Sequence, residues 1–201
     1  KMIFVECGCE PAQSLAEVNW ISDLAKTEPR LKGIVAHADL EKGESVRADL
    51  EQLAQRPLVK GVRRNLQGES DVDFCLRPEF IAGVQRLAKF GFTFDLCIRH
   101  EQLRSVVELV RRVPEVVFVL DHFGKPGVRN GKIEPWATDL KNLAALPNVV
   151  CKISGLTTEA DWQKWQPADL KFYFDRAWEW FGPDRVLFGS DWPVATLATD
   201  Y

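Results

Sequence analysis

The sequence predicts an α/β fold on a parallel sheet. Three observations carry that expectation. Strand-like apolar runs alternate with helix-periodic segments along the whole chain, the strand-like runs read as apolar on both faces, and polar side chains gather where those runs end. Strict β-α alternation implies parallel strands joined by right-handed crossovers. Strands covered by helices lose the polar alternation of a half-exposed sheet.

The first strand is read at IFVECG, Ile3 to Gly8. Ser14 to Thr27 follows as a helix, with Leu15, Val18, Ile21, Leu24 and Ala25 at helical spacing. GIVAHADL (Gly33 to Leu40) is a strand, and Ser45 to Gln55 a helix closed by Pro57. VKGVRRNL (Val59 to Leu66) is the next strand. Pro78 to Lys89 is a helix with proline in its first turn, ended by Gly91. FTFDLCIR (Phe92 to Arg99) is a strand, Glu101 to Arg112 a helix stopped before Pro114, and Val116 to Asp121 a strand. Trp136 to Ala145 is a helix, VVCKIS (Val149 to Ser154) a strand, Ala168 to Phe181 a helix closed by Gly182-Pro183, and VLFGSD (Val186 to Asp191) the last strand.

Seven strands and six helices fit either an open doubly wound sheet or a TIM (β/α)8 barrel. No G-x-G-x-x-G opens the first helix, so the dinucleotide-binding form of the open sheet loses support. Polar residues cluster at strand ends: His37/Asp39, Arg63/Asn65, Arg99/His100, Asp121/His122, Lys152/Ser154 and Asp191. Barrels build their active sites there. The expected fold is therefore an incomplete TIM barrel in one domain spanning 1–201. Seven strands are one short of eight, and the first strand and last helix are expected to be missing from a chain that reads as a fragment.

The 201 residues are 46% hydrophobic and 27% charged, ordinary usage for a globular domain. A net charge of −3 argues against nucleic acid as a partner. No apolar run reaches the ~20 residues that span a bilayer. The five cysteines are odd in number and sit mostly in apolar runs, which points to a reduced, cytoplasmic setting. Cys7 and Cys9 form C-x-C without a second pair, and small buried residues at a strand end are the simpler reading.

Asp191, in G-S-D-W-P after an apolar strand, can act as a base toward water or ligate a metal; its plainer reading is a turn-forming residue before Pro193. His122 can donate to a carbonyl or bind metal, and Asp121 can orient a ring or cap the loop. Arg63 and Arg64 face opposite sides of their strand, so one points inward; the residues alone leave open which one. Asn65 shares the face of Arg63. Lys152 is an ammonium inside an apolar strand and must reach an anion or solvent, and Ser154 shares its face. His100 and Arg99 could line the mouth, whereas His37, read as mid-strand, fits a hydrogen-bonded core residue. Trp162, Trp165 and Trp192 fall in loops where a ring could stack on a sugar. No G-x-S-x-G or H-E-x-x-H is present, so the residues favour activated water over a covalent nucleophile.

The stretches LVKGVRRNLQ, VFVLDHFGKP, NVVCKISGLTTEADW and FGPDRVLFGSDWPV carry a further reading. Together they resemble the amidohydrolase-related family of TIM-barrel hydrolases, and within it the L-fuconolactonase- and L-rhamnonolactonase-like sugar lactonases. The resemblance implies hydrolysis of a cyclic ester. Asp191 would take a proton from water, His122 would polarise the carbonyl or bind metal, and Arg63 rather than Arg64 would contact substrate. Asn65, Lys152, Ser154, Arg99, His100 and Trp192 complete the expected binding set. It implies no required cofactor, or one divalent metal such as zinc at His122 and Asp191. The metal would also use the H-x-H that ends the family's first strand and that this sequence lacks. A small-molecule lactone is the expected partner. The alternatives are a metal-dependent decarboxylase of the same superfamily and a barrel fragment without catalysis.

Overall fold

A computed structural model describes residues 1–200. Strands β1 (Met2–Val5), β2 (Leu31–His37), β3 (Val59–Arg63), β4 (Thr93–Leu96), β5 (Phe118–Leu120), β6 (Val149–Ile153) and β7 (Val186–Phe188) form one parallel sheet in that spatial order. Between them run α1 (Ser14–Leu24), α2 (Arg47–Ala54), α3 (Pro78–Leu87), α4 (Leu103–Arg112), α5 (Trp136–Ala144) and α6 (Pro167–Phe181). The sheet curls into part of a TIM barrel. Its curvature is visible in side-chain reach: Lys152 on β6 bonds Asp95 on β4, across β5, over the concave face.

Local chemistry explains the elements. Pro78 opens α3 after an extended Arg77, and Gly91 closes the following turn in the left-handed region (φ 65°). The Gln166 amide donates to Asp169 Oδ2 at 2.8 Å, capping α6 beside Pro167. In α4, Leu103, Val106, Val107 and Val110 recur at one-face spacing and are all buried.

The strand faces divide by parity. Ile34, Ala36, Val62, Phe94, Leu96, Phe118, Leu120, Val149 and Cys151 belong to the helix-facing core. Edge-to-face and tilted aromatic contacts run from Phe74 through Phe80 and Phe94 to Phe118 at 5.5, 5.9 and 6.1 Å. The alternate residues line the barrel interior. That face carries Val35 and Val119, but also Arg63, Asp95, Asp121 and Lys152, so the strands are not apolar on both faces as their composition led one to expect.

Every expected strand and helix is present, with shorter strands. The segment expected as a helix from Ser45 begins as a 3-10 stretch, Leu40–Val46, broken at Gly43 (φ 59°), before α2. β3 ends at Arg63, so Asn65 lies beyond the strand and does not share its face. His37 is the last residue of β2 rather than a mid-strand one, and its Nε2 lies 2.9 Å from Asp39 Oδ1. All five cysteines are free. Among the described residues no helix is long and apolar enough to cross a membrane.

Candidate active site

A charged network floors the site. Arg63 Nε donates to Glu6 Oε1 at 2.6 Å and Nη1 to Asp121 Oδ2 at 3.0 Å, while its second terminal nitrogen meets the Glu6 carbonyl. Lys152 Nζ bridges Asp95 Oδ2, at 2.9 Å, and Asp121. Glu6, Asp95 and Asp121 are buried. Burial opposes the charge on Arg63 and on Lys152, yet the surrounding carboxylates hold both above their ordinary values. Burial also opposes ionisation of Asp121, but Lys152, His122 and Arg63 hold it below the usual carboxylate range. Asp95 goes the other way, pushed up to about 6 chiefly by burial. One of its oxygens, Oδ1, is buried without a hydrogen-bond partner.

Above this floor the chain leaves β5 through four consecutive positive-φ residues: His122 (52°), Phe123 (56°), Gly124 (69°) and Lys125 (50°). Left-handed backbone disfavours residues with a Cβ, and such strain concentrates at functional sites. Asp191, past the end of β7, is the remaining non-glycine residue in this region (φ 55°) among those described. The two segments meet: His122 Nε2 lies 3.5 Å from Asp191 Oδ1. The other ring nitrogen, Nδ1, is 2.8 Å from Ser154 Oγ at the end of β6. Gly155 permits this approach, since a Cβ there would sit 2.7 Å from His122 Nδ1 and 3.0 Å from Asp191 Oδ2. Burial lowers the His122 imidazole to about 4, so it is neutral near pH 7. Burial raises the Asp191 carboxyl to about 6.

Of the expected residues, the fold brings Asp191, His122, Ser154, Lys152 and Arg63 into one connected set. Arg64 turns outward to Glu41 and Glu69. Asn65 is turned to its own loop, where Oδ1 accepts from the Gln67 amide at 3.1 Å. Arg99 is exposed at the mouth, with Nε 3.4 Å from the Gln67 carbonyl. His100 Nδ1 lies 3.0 Å from the Lys125 carbonyl, and Trp192 is 65% exposed beside Asp191. Sequence reading missed Glu6, Asp95, Lys125 and Gln67. Asp95 was detectable as a charge within an apolar strand, the same signal that marked Lys152.

Two cavities are lined by neither His122 nor Asp191. One of about 690 Å³ runs along α4 and α5 on the outer surface, lined by Arg104, Glu108, Arg111 and Asp139. Another, of about 670 Å³ and mostly apolar, touches Ser154 and Gly155 from the α6 side. As a metal site the described residues fall short. His122 and Asp191 are a two-donor pair, whereas a catalytic zinc takes three protein ligands. No group of three or more His, Cys, Asp or Glu side chains is placed to hold an ion among the described residues.

A family model described as amidohydrolase matches residues 11–201. The chain is similar to an L-fucono-1,5-lactonase of Burkholderia multivorans (strain ATCC 17616 / 249), 36% identical over 195 residues, covering 92% of this chain and 65% of the relative. It is similar also to an L-fucono-1,5-lactonase of Burkholderia ambifaria, 33% identical over 186 residues, covering 90% of this chain and 62% of the relative. It thus spans less than two thirds of the length of these curated relatives. Among solved structures, a zinc-bound amidohydrolase from Burkholderia multivorans superposes with a TM-score of 0.87 at 35% identity, over 99% of this chain and 70% of the other.

Proposed function

The chain belongs to the amidohydrolase family, and from that membership we propose that it opens a cyclic ester, a sugar aldonolactone such as a fucono- or rhamnonolactone, with water activated at Asp191. The observation that carries this reading is the approach of His122 Nε2 to Asp191 Oδ1 at 3.5 Å, one at the end of β5 and the other past β7, on the face where barrels do chemistry. The relatives named L-fucono-1,5-lactonase support the substrate class.

A carboxyl held at about 6 is ionised near neutrality and more basic than an exposed aspartate. As water adds to the lactone carbonyl carbon, its proton passes to Asp191 and negative charge moves onto the carbonyl oxygen. His122 is neutral. With the Ser154 hydroxyl donating to Nδ1, Nε2 keeps its hydrogen and donates to that oxygen. When the tetrahedral species collapses, the ring C–O bond breaks and the departing oxygen takes the proton back from Asp191, giving the hydroxy acid. Arg63 and Lys152 act from below, holding Asp121 and so the backbone that carries His122.

The test is proton release in a pH-stat on adding L-fucono-1,5-lactone or L-rhamnono-γ-lactone, with Asp191→Asn alongside. Ring opening by the unaltered chain and loss of at least ~10³-fold in Asp191→Asn, with circular dichroism unchanged, are expected. Equal rates in the two proteins would remove the basis of this reading.

A further inference from the structure

Lys125 is absent from every role described so far, yet it ends the same left-handed turn that His122 begins. The three side chains with acid–base or charge chemistry among the positive-φ, non-glycine residues are His122, Lys125 and Asp191, and the first and last face each other. A strained backbone that presents these side chains needs a reason at each of them. The Lys125 side chain is half-buried, and its ammonium donates to Gln67 Oε1, a neutral amide, at the mouth. Among the described residues no carboxylate oxygen lies within 4.0 Å of it. The other inward-facing cations, Arg63 and Lys152, are each bound to two carboxylates. The turn that ends at Lys125 begins at His122, whose Nε2 faces Asp191 Oδ1 at 3.5 Å, so one short loop carries both the imidazole and the ammonium.

We propose that the Lys125 ammonium takes up the negative charge that develops on the lactone carbonyl oxygen as water adds, and then holds the carboxylate of the ring-opened acid. The inference rests on the lactonase reading for its first half. Its second half, binding of a carboxylate anion at the mouth, does not need turnover. Gln67 supplies what such a group requires, a partner that fixes Nζ without neutralising it. A cation preorganised in a partly water-excluded site stabilises developing charge without reorganising during the reaction.

The experiment compares the unaltered chain with Lys125→Met and Lys125→Arg. Methionine keeps the length of the stem, and the left-handed backbone is as strained with either residue. In lactone hydrolysis, Lys125→Met is expected to lose about 100-fold in kcat with KM within about 3-fold, and Lys125→Arg to stay within about 10-fold. Unchanged kcat in Lys125→Met overturns the proposal. So does a lowered melting temperature accompanied by an equal loss in Lys125→Arg, the result for a lysine that only ties two loops together. Isothermal titration with the ring-opened acid is the second measurement, where Lys125→Met is expected to bind at least 10-fold more weakly; equal binding overturns the anion role. A chain that binds the acid through Lys125 but opens no lactone sinks the reaction assigned above and leaves the anion site standing. A chain that does neither sinks both.

Discussion

Ser154 Oγ, just past β6, lies 2.8 Å from His122 Nδ1 with both side chains buried, and in the proposed reaction its hydroxyl donates to Nδ1 so that Nε2 carries the hydrogen. Replacing Ser154 by alanine leaves Nδ1 facing a void and frees the tautomer. One hydrogen bond of about 1 kcal/mol corresponds to roughly a fivefold loss in kcat. Nitrogen-15 spectra of the imidazole should show mixed tautomers in Ser154→Ala, against a single Nε2–H form in the unaltered chain. An unmixed Nε2–H spectrum with a full rate would assign the orientation of His122 elsewhere.

The pH dependence has a definite sign. Asp191, raised to about 6, must be ionised to accept a proton, so the rate should climb through about pH 6 and level off above. His122, lowered to about 4, stays neutral over that range and adds no second limb above pH 5. A rate profile flat from pH 5 to 8 would contradict the assignment of Asp191 as base.

The same carboxyl weighs on stability. Its folded value lies above the unfolded one, so Asp191 is harmless below about pH 4 and costs stability as pH rises through 6. Asp191→Asn should therefore melt higher than the unaltered chain at pH 7.5 and equally at pH 4. After discounting for solvent at this part-exposed group, the gain is on the order of 1 kcal/mol, or about 2–4 °C. Calorimetry at the two pH values checks it.

Gly155→Ala should damage the site while sparing the fold. The added methyl would meet His122 Nδ1 at 2.7 Å and Asp191 Oδ2 at 3.0 Å, and Gly155 has φ 68°. Loss of His122–Asp191 alignment should lower kcat by about 100-fold, the scale of a 1 Å misplacement. Far-ultraviolet dichroism should hardly change.

Lys152→Met leaves Asp95 and Asp121 facing each other without their shared cation. A broken buried pair costs about 3–5 kcal/mol, measurable as a lowered urea midpoint. Adding Asp95→Asn should recover part of that loss at pH 7, because Asp95 is the carboxyl that burial already pushes toward its neutral form. Additive losses in the double variant would mean that the two side chains do not interact.

The architecture was legible because helix-covered parallel strands leave a pattern in composition, and each of the thirteen elements expected from it is present. Strand ends were less legible. Val59 to Leu66 reads as one strand, but the ladder stops at Arg63 and the chain turns, which removes Asn65 from the interior. Asp191 and His122 stood out because each follows an apolar run. Glu6 went unread although, like Asp95, it is a charge inside a strand-like run, IFVECG; its partner Arg63 is remote in sequence. The left-handed turn at His122 to Lys125 was also invisible: of its four residues only Gly124 is of a type that adopts such a backbone readily.

The charges on the barrel floor have a consequence for the folding chain. Glu6, Arg63, Asp95, Asp121 and Lys152 come from five of the sheet's first six strands or their ends, β2 excepted, and each is matched to an opposite sign on another. Sliding any one strand by a single residue would swing its ion into hydrocarbon beneath the helices and strand its partners. Apolar side chains forgive such a slip far more readily. The floor thus proofreads the threading of the barrel, rejecting misaligned sheets that hydrophobic burial alone would accept.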